Sequence, residues 1–409
     1  MTARGMPMEK TLDGSISRQR QVLGVVVSNT GLTGYAWGEN IGWINLSPTN
    51  GGVLNDGAGN LSGYAWGENI GWINFNGVKI NPSTGAFSGY AWGENIGWIN
   101  FNVSFAVVTS WKPEDTTPPF TSVRFTPDPN AAGWNNSDVQ VEMAGFDNQG
   151  GSGVKSITYS ASGAQTIPTT TVYGSSTSFS IVNEGYTTLI FNTTDNAGNS
   201  ETPRTLPVYV DKTPPAIQLT CPTTLKLNET GTAIVMVTDS LSGVWGQSVQ
   251  NGPNSLDSST VNLHTFTVTA TDKADNGSSQ SCTYQVVYDF IGTGGFQPPL
   301  GDPSKLNKVK AGSTVPLKWQ LPDGHGGFIS DVGVVTSIKT QQFNCNIPSA
   351  FIGSAVELIG STNRAGLRYD AEKNQFVYNW QTSSSWKGTC RAVILTLNDG
   401  STYRANFSF

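Results

Sequence analysis

The twelve-residue stretch GYAWGENIGWIN occurs three times in the first quarter of the sequence, at Gly34–Asn45, Gly63–Asn74 and Gly89–Asn100. All twelve positions are identical in each copy. A fixed period of this length is typical of repeat architectures, in which each unit buries its apolar side only against the next unit. The stretch therefore indicates a structural or binding surface rather than a catalytic centre.

The repeated motif predicts a β-hairpin in each copy. In the second copy the first arm is Leu61–Trp66, the turn is Gly67–Asn69 and the second arm is Ile70–Phe75. Aromatic and β-branched residues favour a pleated, half-buried surface, and Gly and Asn tolerate the positive φ of a tight turn. The turn glutamates are interpreted as a solvated rim that discourages edge pairing, with a carboxylate ladder for a cation as the alternative. They are Glu39, Glu68 and Glu94.

Half of the 12 tryptophans of the chain belong to these repeats. Small units with few Leu and Val need large anchors, so the favoured interpretation places both tryptophans of each hairpin in the core between units. The alternative is a platform for sugar rings, because a flat apolar face with a polar edge suits stacking on a pyranose. Periodicity alone does not separate the two interpretations. The six residues are Trp37, Trp43, Trp66, Trp72, Trp92 and Trp98.

Charge and hydropathy exclude several classes of protein. The 409 residues include 23 basic and 29 acidic side chains, a net charge of −6 without a basic stripe, which argues against a nucleic-acid partner or an anionic membrane. No apolar run approaches the roughly 18 residues of a transmembrane helix.

The first residues hold no apolar signal-peptide segment, although the later composition is typical of extracellular proteins. We therefore expect a truncated N-terminus, with the natural start upstream of Met1.

Two proline-rich junctions of the same form divide the middle of the chain, at Asp115–Pro119 and Asp211–Pro215. Prolines cannot donate to a sheet ladder and hold the chain extended, as a domain junction requires. Their offset, 211 − 115 = 96 residues, is the size of one immunoglobulin-like sandwich. The segment Ser152–Val154 after the first junction recurs as Ser242–Val244 after the second. These features predict two diverged copies of one β module.

The first copy, residues 115–213, resembles bacterial immunoglobulin-like domains of surface proteins, which share its Gly-Ser-Gly-Val turn and the segment Thr194–Asn199. The second copy, residues 214–289, resembles the hyalin-repeat (HYR) family, itself an immunoglobulin-like sandwich. Its matching features are Cys221-Pro222, the strand Thr267–Asp272 and a closing cysteine, Cys282.

Residues 290–409 are similar to the PxKF-type domain found at the C-terminal end of many bacterial surface proteins. The match rests on Lys310–Trp319, where Trp319 replaces the name-giving Phe, and on Gln375–Trp380. These resemblances imply display or adhesion at the cell surface and no known catalytic residue.

The predicted fold is all-β, divided into a disordered leader (1–28), a tandem β-hairpin repeat domain (29–111), two immunoglobulin-like β-sandwiches (112–213 and 214–289) and a C-terminal β-sandwich-like domain (290–409).

The four cysteines fall two to a predicted domain, Cys221 with Cys282 and Cys345 with Cys390. An even count divided in this way is what intradomain disulfides would produce in an oxidising compartment. Four buried free thiols are the alternative. Metal ligation is disfavoured because the cysteines lack close spacing and accompanying histidines.

The sequence singles out no constellation for catalysis, and a pair of distant carboxylates for glycoside hydrolysis stays open as the alternative. Its two histidines, His264 and His325, stand in strand-like and loop surroundings, and neither an HExxH zinc signature nor a GxSxG nucleophile elbow occurs. We therefore expect no enzymatic activity and no bound cofactor.

Calcium is the ion for which candidate ligands stand out. Four aspartates lie at loop-like positions among Asn and Gly, and oxygen-rich loops collect hard cations. The favoured alternative is that these side chains bond to neighbouring backbone and form turns, so the sequence assigns no metal site. The four candidates are Asp147, Asp195, Asp239 and Asp272.

These observations predict a non-catalytic extracellular or cell-surface protein with a structural or adhesive role. The sandwiches would act as spacers and the repeat block as the contact surface. The alternatives are a carbohydrate-binding module array and a virion decoration protein. The expected partner is an unidentified surface ligand, either a polysaccharide or another cell-surface protein, and not a nucleic acid.

Overall fold

The computed structural model describes residues 24–103, 107–292, 295–300, 305–360 and 364–409. In this part of the chain the regular elements are β-strands and two single-turn 3-10 helices, Val332–Val334 and Ser384–Trp386. The predicted all-β class is confirmed. The described residues form two compact units: the first runs to Thr126 and includes Val139–Ile181 and Tyr186–Val208, and the second comprises Pro127–Asp138, Val182–Gly185 and Tyr209–Phe409.

The repeats of the first unit form one ten-stranded antiparallel sheet. Its strands are β1 (Val26–Val27), β2 (Gly31–Thr33), β3 (Tyr35–Gly38), β4 (Gly42–Asn45), β5 (Gly52–Asn55), β6 (Leu61–Gly67), β7 (Gly71–Asn74), β8 (Val78–Ile80), β9 (Phe87–Gly93) and β10 (Gly97–Asn100). Most of the predicted leader lies outside the described residues, but its end forms β1, which pairs with β2.

Each motif folds as a hairpin, with Tyr64 opposite Asn74 and Trp66 opposite Trp72 in the second copy. The connection includes Ile70, whose amide donates to the Gly67 carbonyl (3.3 Å). Gly71 then takes a φ of +73°, a conformation that glycine adopts without strain. The second arm therefore begins one residue later than predicted, because Ile70 turns inward and is buried.

Successive hairpins are joined by strand pairing and by the turn glutamates. Strand β4 pairs with β6, and β7 pairs with β9. The Trp43 amide donates to Glu68 Oε1 (3.0 Å), and the Glu68 amide donates to the Trp43 carbonyl (3.0 Å). Glu94 makes the same two contacts with Trp72. Glu68 and Glu94 are exposed, as the interpretation of a solvated rim predicts, and each also caps the edge of the preceding unit.

Replacing Glu68 with alanine should lower the free energy of unfolding by about 1 kcal/mol, because a carboxylate–amide bond between repeats is lost. The same change at Glu39 should stay within about 0.5 kcal/mol, since Glu39 belongs to the first copy of the motif and has no preceding hairpin of the repeat to cap. Glu39 thus supplies a control of identical chemistry and local sequence. Urea denaturation of both variants checks the expectation, and equal effects of the two changes would contradict it.

The core of the repeat block comes from the face that carries Ala65 and Ile73, which are buried on adjacent strands. Trp111 closes this core from outside the repeats, and its Nε1 donates to Asn29 Oδ1 (2.8 Å). The buried cluster comprises Leu32, Leu46, Val53, Leu61, Ala65, Ile70, Ile73, Phe75, Val78, Ile80, Phe87, Ala91 and Trp111.

The strands that follow the repeat block form a three-stranded sheet in the order β11-β12-β15 and a four-stranded sheet in the order β14-β13-β16-β17. Val139, Val141 and Met143 alternate inward along β12, which is the period of a sheet with one buried face. The strands are β11 (Phe120–Thr126), β12 (Val139–Phe146), β13 (Val154–Gly163), β14 (Ile167–Tyr173), β15 (Ser176–Ile181), β16 (Gly185–Asp195) and β17 (Arg204–Val210).

The second unit holds two further pairs of sheets. The first pair has the orders β18-β20-β22 and β19-β24-β23-β21, and the second pair has the orders β25-β27-β31-β30 and β26-β33-β32-β28-β29. The strands of the first pair are β18 (Ala216–Thr220), β19 (Thr224–Lys226), β20 (Gly231–Thr238), β21 (Val244–Gln247), β22 (Gly252–Leu256), β23 (Asn262–Asp272) and β24 (Gly277–Val287).

The strands of the second pair are β25 (Gly295–Phe296), β26 (Leu306–Lys308), β27 (Thr314–Gln320), β28 (Val335–Asn344), β29 (Ile347–Ile359), β30 (Leu367–Asp370), β31 (Gln375–Gln381), β32 (Cys390–Leu397) and β33 (Thr402–Ser408). One apolar core runs from Leu225 through Tyr288 to Phe407. The Tyr288 amide also donates to the buried Asp399 carboxylate (2.8 Å). The two sheet pairs of this unit therefore share a continuous interior.

Among the described residues, no helix is both long and apolar enough to cross a lipid bilayer.

Candidate functional site

The repeat block presents a surface of aromatic side chains, here called the aromatic face. Cross-strand partners and residues two positions apart share one face of a sheet, so Tyr64, Trp66 and Trp72 lie together. Trp66 is 42% exposed, and the equivalent Trp92 is 46% exposed. The face comprises Tyr35, Trp37 and Trp43 from the first unit, Tyr64, Trp66 and Trp72 from the second, and Tyr90, Trp92 and Trp98 from the third.

The favoured interpretation from the sequence, tryptophans interlocked in the core, is wrong. All six repeat tryptophans lie on the aromatic face, opposite the face that carries Ala65 and Ile73. The physical reason is the two-residue period of a strand: the small Ala and the branched Ile alternate with the rings and face inward. The period of the sequence does not show which of the two alternating sets of side chains is buried, which is why the sequence left the platform interpretation open.

The rings are held in fixed orientations by one another. In the second unit the Trp66 and Trp72 centroids are 5.0 Å apart at an interplanar angle of 70°. Tyr64 and Trp72 are 6.3 Å apart at 85°. The first and third units repeat this arrangement. Edge-to-face pairs of this kind contribute about 0.5–1.5 kcal/mol beyond area burial, so each trio is a rigid feature of the surface.

A second feature of the first unit is a group of three aspartates near the first proline junction. Asp115, Asp147 and Asp195 bring carboxylate oxygens within 4.8 Å of one another. The Ser152 amide donates to Asp115 Oδ2 (2.8 Å), which is the main cause that lowers the pKa of Asp115. Asn199 donates its Nδ2 both to Asp195 Oδ2 and to the Asp115 carbonyl (2.8 Å each).

The second unit builds the same group from Asp211, Asp239 and Asp272, whose carboxylate oxygens are again within 4.8 Å of one another. The Ser242 amide donates to Asp211 Oδ2 (2.9 Å). Asn276 Nδ2 donates to Asp272 Oδ2 (2.7 Å) and to the Asp211 carbonyl (2.8 Å). The two groups therefore correspond contact by contact.

The sequence singled out four of these six carboxylates and missed Asp115 and Asp211. A signal for both exists, because each is the first residue of a proline junction and the two junctions share one form. All six carboxylates accept backbone amides, as turn-forming aspartates do, while three clustered carboxylates are also the ligand type of calcium. Thermal unfolding with calcium and with a chelator separates the two interpretations, since a cation that binds only the folded chain raises Tm.

The structure pairs all four cysteines as disulfides within the second unit. Cys221 and Cys282 have Cα atoms 6.2 Å apart, and Cys345 and Cys390 have Cα atoms 5.3 Å apart. The predicted pairing is confirmed, and disulfides of this kind fit an oxidising compartment.

Neither of the two histidines belongs to the aspartate groups described above. His264 stacks on Tyr284 with centroids 5.4 Å apart, and its Nε2 lies 2.8 Å from the Thr260 carbonyl oxygen. The His325 amide donates to Asp323 Oδ1 (2.8 Å) in a surface loop. Both contacts are structural in character.

No protein-family model and no curated protein matches this sequence. Among solved structures, the fibronectin(III)-like modules of Clostridium thermocellum CbhA match with 15% identity and a TM-score of 0.23, over 40% of this chain and 94% of theirs. Extracellular cadherin domains 3–6 of protocadherin gamma B2 match with 10% identity and a TM-score of 0.23, over 85% and 88%. The protocadherin gamma B4 extracellular domain matches with 13% identity and a TM-score of 0.25, over 89% and 60%.

Proposed function

We propose that this chain is a non-catalytic extracellular protein with a structural or adhesive role, in which the repeat block is the contact surface. The observation that carries the proposal is the aromatic face. Exposed rings in this number are costly to leave in water, and contiguous apolar surface marks interaction sites. Its threefold repetition on rigid strands provides several equivalent contacts on one surface.

The remaining sheets fit the role of a scaffold for that surface. The two disulfides suit a chain that works outside the cytoplasm. The residue matches to HYR and PxKF-type domains support the same role, with residues 214–289 as a spacer and residues 290–409 as a cap or anchor of the array.

Beads coated with the whole chain should adhere to intact cells of the producing organism, and beads coated with the Trp66→Ala/Trp92→Ala variant should lose most of this adherence. The two rings are exposed, so the variant should keep its fold, which far-UV circular dichroism checks. Trp245→Ala is the matched control, because Trp245 is 70% exposed but lies outside the aromatic face. Equal adherence of wild-type and double-variant beads would refute the proposed contact surface.

A further inference from the structure

The spacing of the aromatic face follows from strand geometry. Equivalent rings lie two strands apart, because β6 is followed across the sheet by β7 and then by β9. The pairing register also moves each unit two residues along the strand, since Trp92 stands opposite Asn74 rather than opposite Trp72. Two strand steps of about 4.8 Å and a stagger of two residues at about 3.4 Å place equivalent rings about 12 Å apart. Trp37, Trp66 and Trp92 thus form a regular diagonal row.

Amide side chains fill the positions between the rings. Asn74 lies directly opposite Tyr64 on one side and Trp92 on the other. Its Oδ1 accepts the Asn76 amide (2.8 Å), which leaves its Nδ2 as a donor toward a ligand on this face. Asn45 takes the same position between Tyr35 and Trp66. Each unit therefore offers flat apolar rings with a hydrogen-bond donor beside them.

The row carries no charge. The nine aromatic residues and the intervening asparagines are neutral. The described charged side chains on this face or at its margin are Lys79, opposite Ser88, and the turn glutamates Glu39, Glu68 and Glu94. Glu68 and Glu94 are directed to the Trp43 and Trp72 amides. The chain as a whole has a net charge of −6, so anionic ligands gain no attraction from it. A complementary ligand is therefore uncharged, periodic and equipped with both apolar faces and hydroxyl groups.

We propose that the aromatic face binds a neutral polysaccharide that lies along the diagonal row, with sugar rings stacked over Trp37, Trp66 and Trp92. The C–H face of a pyranose is apolar and meets the tryptophan ring, while the hydroxyls at its edge accept from the Asn45 and Asn74 amides. The rings are already fixed by tilted packing in the first unit and edge-to-face packing in the other two, so little side-chain freedom is lost on binding. This proposal rests on the proposed function and names the ligand class of its contact surface.

The test uses the whole chain and neutral polysaccharides of known composition, namely cellulose, chitin and xylan, together with soluble oligosaccharides of increasing length. At least one of these glycans should bind. Affinity should rise with oligosaccharide length until the ligand spans the three rings, about 24 Å from the two steps of the row, and should then level off. Binding should be the same at low and high salt, because no ion pair is formed.

Trp66→Ala should weaken this binding about tenfold, the equivalent of one lost stacking contact of about 1.4 kcal/mol. Trp66→Ala/Trp92→Ala should abolish it, Trp66→Tyr should retain most of it, and Trp245→Ala should leave it unchanged. A cooperative thermal transition and an unchanged far-UV circular dichroism spectrum in each variant show that the fold is intact.

Three results would overturn the proposal: no neutral glycan binds, binding survives the double variant, or a proline-rich peptide binds the same rings while glycans do not. If the double variant abolishes adherence of coated beads to cells but no glycan binds or competes, the contact surface stands and the polysaccharide assignment falls. If neither cells nor glycans are bound, both proposals fall together.

Discussion

Replacing Trp380 with alanine should lower the free energy of unfolding of the second unit by about 3–5 kcal/mol, the range for a fully buried large aromatic residue. Trp380 has no exposed surface and lies on β31 in the core of that unit. Its ring is 5.2 Å from Phe407, 5.7 Å from Trp386 and 5.8 Å from Phe409, measured between centroids. Removal leaves a cavity that these rings cannot fill without leaving their own contacts. The midpoint of guanidinium denaturation, followed by circular dichroism, measures the loss.

Trp380→Phe separates ring packing from hydrogen bonding at the same position. The Trp380 Nε1 is buried without a hydrogen-bond partner, and a buried unsatisfied donor costs stability. Phenylalanine keeps most of the aromatic contact and removes that donor, so its cost should stay under about 1.5 kcal/mol. An alanine variant that costs no more than the phenylalanine variant would contradict the assignment of Trp380 as the central anchor of this core.

The sequence predicted the class of fold well because its strongest signals are local. The hairpin arms of the repeats, the connections between them and the all-β character follow from residue types and short-range periodicity. The pairing of strands between repeats does not follow from these local signals. The caps made by Glu68 and Glu94 depend on a register between segments more than twenty residues apart. Strands β5 and β8 were also missed, because each is short and is recognised only by its partner strand.

The candidate sites show the same limit. Asp147 and Asp195 were predicted at loop-like positions, although Asp195 is the buried last residue of β16. Their grouping with Asp115 needs the fold to bring the proline junction beside two distant segments. For the aromatic face, the sequence supplied the rings and their period but not the side of the sheet on which they lie. That side is set by the alternating Ala65 and Ile73, whose burial requires a core contributed in part by Trp111, outside the repeats.

Removing either disulfide by a double Cys→Ala change should lower the free energy of unfolding by about 4 kcal/mol, according to the chain-entropy model. The two cross-links close loops with sequence separations of 61 residues, for Cys221–Cys282, and 45 residues, for Cys345–Cys390. Closed loops of this length remove a large part of the freedom of the unfolded chain. The physical consequence is that the second unit depends on an oxidising environment for a sizeable share of its stability. Denaturation curves of the wild type and of each double variant measure the difference.

A reductant gives the matched control for this prediction. It should shift the denaturation midpoint of the wild type downward, and it should have no effect on a variant that lacks all four cysteines. Thiol titration of the native wild type should find no reactive group, since the structure pairs every cysteine. Four titratable thiols in native material, or double variants that lose under about 1 kcal/mol, would contradict the expected cross-linking and with it the main argument for placing this chain outside the cytoplasm.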